Sequence, residues 1–377
     1  MADRLKILMI VTWYSPRSAE VMTAGVFHYE QTMALSKYVD VALLYPYDTE
    51  IEGIVSKKNE NGLITYRCSS TTKNPALRFN DLVRAGKKVI KDFKPDIIHG
   101  HVAQGAGHLA YALSKACHIP YVITEHSPLE VTNMNDTATR ILTNLVYKKS
   151  AANVCVSKDS MDRLKELFPK CHFQVIYNGI ISPETVEDDG ETYRINGYTN
   201  ALITAAFYDK DVKGYQYLLP AIQRLKKEGV KIMLHICGGG DYFQYYRDMA
   251  RDLDIEDRVL FYGQCERKKV YTVMRQMDFS ISASEFECSG VSVEEALFLK
   301  NPMVVTRSGG ANSLVTEDTA IVVDRKSVDA LVDGIKEMIS RLDSFDRERI
   351  HDYAEENFEI DRTSQKYLAL YEDIMSR

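Results

Sequence analysis

The sequence predicts an α/β protein built from two doubly wound, Rossmann-like parallel-sheet domains, and three observations support this. The chain has 377 residues, more than one ordinary hydrophobic core accommodates. Short apolar runs alternate with helical patterns along most of it. A polar, acidic stretch at 182–200 then separates two such series.

The first series predicts strands that are apolar at consecutive positions, as in sheets covered by helices on both faces. These strands are 7–11, 39–44, 63–66, 97–101, 121–124, 153–156 and 174–176. Helices are predicted between them at 25–37, 77–93, 107–117 and 158–167. The run 7–11 is too short for a secretory signal and lacks a cleavage site, so we expect a buried first strand.

The second series repeats the alternation. Its predicted strands are 201–206, 231–237, 258–262, 279–282, 303–306 and 320–323. Its predicted helices are 215–228, 242–253, 291–299 and 327–342. We therefore assign 1–185 to an N-terminal domain, 186–197 to a linker and 198–359 to a C-terminal domain.

Charge and cysteine content narrow the function. The net charge is −6, although Lys and Arg outnumber Asp and Glu by 22 to 17 through Pro183. An acidic chain is a poor nucleic-acid binder, so no nucleic-acid partner is expected. Seven scattered cysteines without a Cys-x-x-Cys pair fit a reducing cytoplasm. No apolar run approaches the roughly 18–20 residues that span a bilayer.

The segment 287–296 carries the strongest chemical signal. It follows a predicted strand, opens a predicted helix and reads ECSGVSVEEA. Gly290 permits close backbone approach, and a helix N-terminus suits a phosphate. The carboxylates of Glu287 and Glu295 can accept hydrogen bonds from sugar hydroxyls, whereas Glu294 is expected to be a solvated charge. The alternative is an ordinary acidic loop and solvated helix face.

Two sequence patterns contain residues that could bind a metal ion. Residues 209–211 read Asp-Lys-Asp, a short motif that holds a metal in some transferases. His99 and His101 share one strand face and could form a trio with His126. A hydrogen-bonding role is the stronger interpretation, and no metal is expected.

A basic helix is the remaining feature. Arg84, Lys87, Lys88, Lys91 and Lys94 lie within or just after the second predicted helix. They form either a solvated face or a contact with an anionic membrane surface or lipid-pyrophosphate acceptor.

Segments throughout the chain resemble glycosyltransferase family 4, which has the GT-B fold of two domains facing a cleft. Glu287 and Glu295 match that family's Glu-x7-Glu motif in register. The other matching segments are 25–35, 94–101, 119–126, 152–157, 175–180, 212–214, 257–263 and 306–310.

The resemblance implies roles for the residues of the motif. Glu295 is expected to hold the donor ribose hydroxyls, and Glu287 the hydroxyls of the donor sugar. The backbone N–H groups of Ser289 and Gly290 are expected to meet the sugar or diphosphate. The family's usual Gly-Phe-Gly is here Cys288-Ser289-Gly290, which alters the sugar pocket.

The resemblance also implies roles outside the motif. Lys213 is expected to neutralise the departing diphosphate. His126 is expected near the reacting sugar, and Gly25 near the phosphates. The arginine that the family carries before its Lys-Gly pair is absent, and Lys210 is a candidate replacement.

The implied activity is retaining transfer of a hexose from a nucleotide diphosphate sugar to a hydroxyl acceptor. The donor is expected to be a UDP-sugar, with a GDP-sugar second. The acceptor is expected to be a lipid-linked saccharide or oligosaccharide in cell-surface polysaccharide or glycan synthesis. No cofactor or metal is implied. The enzyme is expected to be cytoplasmic and peripheral at the inner face of the plasma membrane, with a last helix at about 360–377 that returns to the first domain.

Three alternatives remain open: a non-catalytic nucleotide-sugar-binding partner, a GT-B sugar-nucleotide epimerase, and a GT-B phosphorylase. The missing arginine motivates the first, and the Glu-x7-Glu match disfavours the other two. A Rossmann oxidoreductase is disfavoured because no G-x-G-x-x-G opens the first helix.

Overall fold

The computed structural model describes residues 4–14, 26–48, 50–51, 54–60, 62–127, 129, 132–208 and 211–377. The chain divides into two compact units. The first comprises Met1–Ile180 and Ile360–Arg377, and the second comprises Ile181–Glu359.

The first unit contains an eight-stranded sheet in its described residues, with strand order β3-β4-β2-β1-β5-β6-β7-β8. The strands are β1 (Lys6–Ile10), β2 (Asp40–Tyr45), β3 (Val55–Glu60), β4 (Leu63–Cys68), β5 (Ile97–His101), β6 (Tyr121–Glu125), β7 (Ala152–Cys155) and β8 (Gln174–Val175). All neighbours run parallel except β3, which pairs antiparallel with β4. Strand β3 was not predicted because its sequence, VSKKNE, is polar and forms an exposed edge.

The second unit contains a six-stranded parallel sheet in the order β11-β10-β9-β12-β13-β14. Its strands are β9 (Thr199–Thr204), β10 (Ile232–Cys237), β11 (Val259–Gly263), β12 (Phe279–Ser282), β13 (Met303–Thr306) and β14 (Ala320–Val323). Strand β9 comes first in sequence yet lies between β10 and β12, so the strand order reverses at β9. Open α/β sheets bind ligands at the carboxyl ends of the strands beside such a reversal.

Helices fill the connections in both units. They are α1 (Val26–Leu35), α2 (Pro75–Phe93), α3 (Ala106–Cys117), α4 (Thr137–Lys149), α5 (Lys158–Leu167), α6 (Tyr215–Lys227), α7 (Phe243–Asp252), α8 (Arg267–Arg275), α9 (Val291–Phe298), α10 (Val328–Arg341), α11 (Arg347–Phe358) and α12 (Ile360–Ser376). Helices α4, α8 and α11 were not predicted. Within the described residues, no helix is both long and apolar enough to cross a membrane.

Both faces of the first sheet are buried, which is the physical basis of the doubly wound fold. Along β1, Leu8 and Ile10 join one hydrophobic cluster, whereas Ile7 and Met9 join another. Successive strand residues point to opposite faces, so one apolar strand serves two cores. The predicted fold class, with two α/β parallel-sheet domains, is confirmed.

The last helix belongs to the first unit. Helix α12 packs against α1, and Lys37 and Asp361 form an ion pair of 2.6 Å between the ends of these helices. The buried hydroxyl group of Tyr371, on α12, lies 2.7 Å from Nδ1 of His99 on β5. The chain therefore leaves the first unit at Ile180 and returns to it at Ile360.

The segment 186–197, which the sequence analysis assigned to a linker, lies within the second unit. The guanidinium group of Arg275 donates hydrogen bonds to the carbonyl oxygens of Pro183 and Val186. The backbone N–H of Asp189 donates to Oγ1 of Thr272 at 2.9 Å. Helix α8 thus holds this polar segment against the second unit.

Candidate functional site

The loop between β12 and α9 is held by the loop that follows β13. The backbone N–H of Glu287 donates to the carbonyl of Ser308, and the N–H of Gly310 donates to the carbonyl of Glu287, both at 2.8 Å. A Cβ atom at Gly310 would lie 2.2 Å from the carbonyl carbon of Cys288, so a side chain there would force the two loops apart. Glycine at this position therefore fixes Glu287 beside the start of α9.

Lys213 and Glu287 form the central polar contact of this site. The Nζ atom of Lys213 lies 2.6 Å from Oε1 of Glu287, and Oγ of Ser284 donates to the same oxygen at 2.8 Å. Lys213 reaches this point because Gly214 adopts a positive φ of 74° and starts α6. A Cβ at Gly214 would lie 1.9 Å from the carbonyl oxygen of Ala283, so this turn requires glycine.

A cavity of about 340 Å³ opens beside this ion pair. It lies at the carboxyl ends of β9 and β10, next to the reversal of strand order. Its lining residues are Thr204, Ala205, Ala206, Lys213, Cys237, Gly238, Gln264, Cys265, Val270, Glu287, Gly290, Val291 and Ser292. The cavity thus combines small side chains, a lysine, a carboxylate and the N-terminal turn of α9. A helix N-terminus presents unpaired N–H groups and a positive dipole end, which suit a phosphate.

Glu295 lies on the second turn of α9 and has a fixed orientation. Its Oε1 atom accepts a hydrogen bond of 2.7 Å from the hydroxyl of Tyr271, which is buried on α8. Tyr271 was not among the residues predicted from the sequence. A tyrosine in a polar helix is a weak signal, and only the packing of α8 brings it to Glu295.

Glu294 was expected from the sequence to be a solvated charge, and this prediction is wrong. The residue is completely buried on the inner face of α9. Its Oε1 atom lies 3.3 Å from Oγ of Ser289. Burial, with a smaller effect from the charge on Glu295, raises the pKa of Glu294 to about 8. The carboxyl group is therefore neutral at pH 7.

His126 lies in the first unit, just after β6. Its Nε2 atom is 2.9 Å from Nδ1 of His101, and the two imidazole rings are stacked. The ring of His28, on α1, meets both of these rings edge to face. Burial lowers the pKa of all three imidazoles, so they are neutral at pH 7.

These three histidines are the residues in the described part of the chain best placed to hold a metal, since their nearest ring nitrogens all lie within 4.8 Å of one another. The sequence analysis considered a trio with His99 in place of His28, and it preferred a hydrogen-bonding role for these histidines. His99 is used elsewhere: its ring nitrogens lie 2.7 Å from the hydroxyls of Tyr371 and Thr124. The sequence could not identify His28 because it lies on a helix some 70 positions before the strand.

Of the sequence-predicted site residues in the second unit, Lys213, Glu287 and Gly290 line the cavity. Ser289 directly precedes Gly290, and Glu295 lies on the second turn of α9, where it bonds to Tyr271. His126 lies in the first unit. Gly25 and Lys210 lie outside the described residues, as does Asp209 of the Asp-Lys-Asp motif, so their predicted roles stay predictions.

Two family models match the chain, one in each unit. Residues 38–182 match the model described as Glycosyltransferase Family 4. Residues 193–357 match the model described as Glycosyl transferases group 1. Together the two matches span most of the chain.

Relatives carry names of the same kind. A glycosyltransferase of Methanocaldococcus jannaschii, named as uncharacterised, is 24% identical over 258 residues, which are 68% of this chain and 69% of that protein. The alpha-monoglucosyldiacylglycerol synthase of Streptococcus pneumoniae is 24% identical over 254 residues. That match covers 61% of this chain and 56% of the synthase, little more than half its length.

Solved structures share the fold over the whole chain. The sucrose-phosphate synthase of Thermosynechococcus elongatus superposes with a TM-score of 0.80 at 15% identity, covering 99% of this chain and all of that one. Anabaena HepE in complex with UDP superposes with a TM-score of 0.77 at 16% identity, covering 98% of this chain and all of that one. The chain belongs to the GT-B glycosyltransferases, with a family 4 domain followed by a group 1 domain.

Proposed function

We propose that this chain transfers a hexose from a nucleotide diphosphate sugar to a hydroxyl acceptor, with retention of the anomeric configuration. The observation that carries the proposal is the 2.6 Å contact between Lys213 and Glu287, beside the N-terminus of α9 and a cavity of about 340 Å³. A cation, a carboxylate and the N-terminal turn of a helix meet there. These are the groups that a nucleotide sugar requires at its diphosphate and its sugar.

The donor is held mainly by the second unit. Glu295 accepts a hydrogen bond from Tyr271 through Oε1, which orients the carboxylate for the two ribose hydroxyls. The base then occupies the cavity lined by Gly238, Gln264 and Cys265. UDP is the favoured nucleotide, and the UDP complex of the structurally similar Anabaena protein supports this choice.

The negative charge of the departing diphosphate is met by fixed groups. Lys213 is the cation that lines the cavity, and the dipole of α9 adds a second positive potential. Glu287 holds the Lys213 ammonium in place before the donor arrives. We therefore propose transfer without a bound metal ion or other cofactor, with Lys210 as a further candidate cation.

The acceptor is proposed to be lipid-linked, which places the first unit at an anionic membrane on the cytoplasmic side. Helix α2 exposes Leu77 and Phe79 near its start and Arg84, Lys87 and Lys91 further along. Basic side chains attract anionic lipid, and the exposed apolar side chains can enter the headgroup region. The name of the streptococcal relative, a synthase of a glucosyl lipid, supports a lipid acceptor.

A screen of nucleotide sugars tests the proposal. A donor present at 100 times its Kd stabilises the folded state by roughly 2.7 kcal/mol, which raises the unfolding temperature. The stabilising donor is then incubated with lipid and oligosaccharide acceptors, and the product is examined by NMR. We expect a new glycosidic bond with the donor's anomeric configuration. A product with the opposite configuration would refute retention.

The chain lacks the arginine that the family carries before its Lys-Gly pair. This absence favours a second candidate function, that of a non-catalytic nucleotide-sugar-binding partner. Such a chain would be stabilised by a nucleotide sugar yet show neither transfer nor slow hydrolysis. An epimerase would instead release an epimerised nucleotide sugar, which NMR of the same reaction mixture would detect.

A further inference from the structure

Glu294 is an unusual residue for its position in the fold. It is fully buried on α9, and its neighbours in sequence are Val293 and Glu295, the residue proposed to bind the ribose. One carboxyl oxygen contacts Ser289 at 3.3 Å, and the other, Oε2, has no hydrogen-bond partner among the described residues. An apolar side chain of similar volume would avoid burying this carboxyl group. A glutamate at this position therefore lowers the stability of the fold, which suggests that it has a role at the donor site.

The surroundings of Glu294 keep it uncharged. Burial is the main cause of its raised pKa, the negative charge on Glu295 adds to it, and the hydrogen bond with Ser289 acts weakly in the opposite direction. Tyr271, the group that faces α9 from α8, bonds to Glu295.

The titratable groups on the other elements that pack against α9 lie near its C-terminal end, away from Glu294. His351, on α11, contacts the carbonyl of Phe298 and lies 3.6 Å from Glu184 in the short helical turn before β9. Neither His351 nor Glu184 is among the groups that shift the pKa of Glu294. Within the part of the chain that the structure describes, no cation is among the groups that shift the pKa of this carboxyl group.

We propose that Glu294 is a positioning residue that orients Ser289 for contact with the nucleotide-sugar donor. The ionised carboxylate accepts from the serine hydroxyl at the 3.3 Å contact, whereas the carboxyl group, when it is protonated, can donate its hydrogen to Oγ of Ser289 at the same contact. The hydroxyl proton of Ser289 is then available to donate to an oxygen of the diphosphate or sugar. This inference rests on the proposed function, in which the turn containing Ser289 and Gly290 receives the donor.

Ionisation of Glu294 reverses this arrangement. A carboxylate can only accept a hydrogen bond, so it takes the hydroxyl proton of Ser289 away from the donor. It also places a second negative charge beside Glu295 and close to the diphosphate. Donor binding should therefore weaken as the pH rises past the pKa of Glu294, which is about 8.

Calorimetric titration with UDP at pH 7 and pH 9 tests the inference in the wild-type chain and in Glu294→Gln. The glutamine amide donates to Ser289 at both pH values and cannot ionise. If only the protonated form binds, wild-type affinity should fall about 10-fold from pH 7 to pH 9 relative to the variant. Ionisation of UDP affects both proteins and cancels in the comparison. Parallel pH profiles would overturn the inference.

A second measurement separates positioning from packing. Glu294→Leu and Ser289→Ala should weaken UDP binding at pH 7 by similar factors, and the double variant should be no weaker than either one. Additive losses would contradict an action of Glu294 through Ser289. Glu337→Gln, on the exposed side of α10, is the matched control and should bind UDP normally. A wild-type chain that binds neither UDP nor GDP would overturn the proposed function as well, whereas normal binding with parallel profiles would overturn only this inference.

Discussion

Lys213 and Glu287 form a 2.6 Å ion pair across 74 positions of the sequence, at the carboxyl edge of the second sheet. Their side chains are 30% and 22% exposed, so the pair lies at the mouth of the cavity and not in the core. Partly exposed pairs contribute little to stability. We therefore expect the main role of this pair to be chemical.

Lys213→Ala should reduce turnover more than it reduces donor binding. The charge on the leaving diphosphate is fully developed only in the transition state, and removing one stabilising donor typically lowers the rate about 100- to 1000-fold. The measurement is turnover and donor affinity, with Lys227→Ala on the exposed end of α6 as the control. Lys210→Ala should be milder if that residue faces solvent, and comparable if it replaces the missing arginine. Near wild-type turnover in Lys213→Ala would refute this account of the site.

Glu295→Ala should weaken binding of free UDP by roughly 1.5–3 kcal/mol, the range for a hydrogen bond to a charged group. Tyr271→Phe should have a smaller effect, because it removes the 2.7 Å bond that orients the carboxylate and leaves the carboxylate itself in place. In the Glu295→Ala background, the tyrosine substitution should have no further effect. Calorimetry on the two single variants and the double variant checks this. Unchanged affinity in Glu295→Ala would remove Glu295 from the ribose site.

Replacement of Arg84, Lys87, Lys88 and Lys91 by Gln should abolish binding to anionic vesicles. All four side chains are exposed on α2, and their attraction to anionic lipid should decrease as added salt screens it. Sedimentation with vesicles at low and high salt measures the effect, and neutral vesicles are the control. A wild-type chain that never sediments at low salt would leave α2 with a solvated face.

Glu294 should make the free energy of unfolding fall as the pH rises. Its pKa is raised from about 4.5 unfolded to about 8 folded, so the folded state binds the extra proton between these values. Stability is therefore complete below pH 4.5 and is lost as the pH rises towards 8, by at most about 1.4 kcal/mol per pH unit. Denaturant unfolding at several pH values should show a smaller decline in Glu294→Gln. Equal declines would mean that the carboxyl group is not held neutral.

His28 should have the opposite effect in the first unit. Its pKa is lowered well below 6.5 by burial, so the unfolded state binds the extra proton in acid. Stability is complete above pH 6.5 and is lost as the pH falls below it, by about 1.4 kcal/mol per pH unit for this histidine alone. His28→Gln should unfold with a shallower dependence on pH between 6.5 and 5. An unchanged slope would show that His28 is accessible to protons in the folded state.

Metal binding by the histidine trio is open to direct measurement. The sequence predicts no metal, whereas His28, His101 and His126 lie close enough to act as ligands. Calorimetric titration with Zn²⁺ should give no more than weak binding if the prediction holds. Tight binding that is lost in His101→Ala would overturn it.

Secondary structure with strong periodic signals could be predicted from the sequence alone. Strands β5, β12, β13 and β14 and helix α5 have the predicted bounds. Their apolar residues are dense and their ends carry clear signals, such as Ser157, whose side chain caps α5. The elements β3, α4, α8 and α11 were missed, because each is rich in polar or charged residues and is only partly buried.

The sequence by itself determined the two parallel sheets, the loop before α9 and the pairing of Glu287 with Glu295 in one motif. Alternating apolar runs are sufficient for the sheets and the loop, whereas the pairing of the two glutamates in one motif rests on the resemblance to glycosyltransferase family 4. Only the tertiary structure decided the partners: Lys213 for Glu287, Tyr271 for Glu295, and His28 for His101 and His126. It also decided that Glu294 is buried while its neighbour Glu295 reaches the site. Adjacent helix positions point about 100° apart, and which of them meets the core depends on how the helix packs against its sheet.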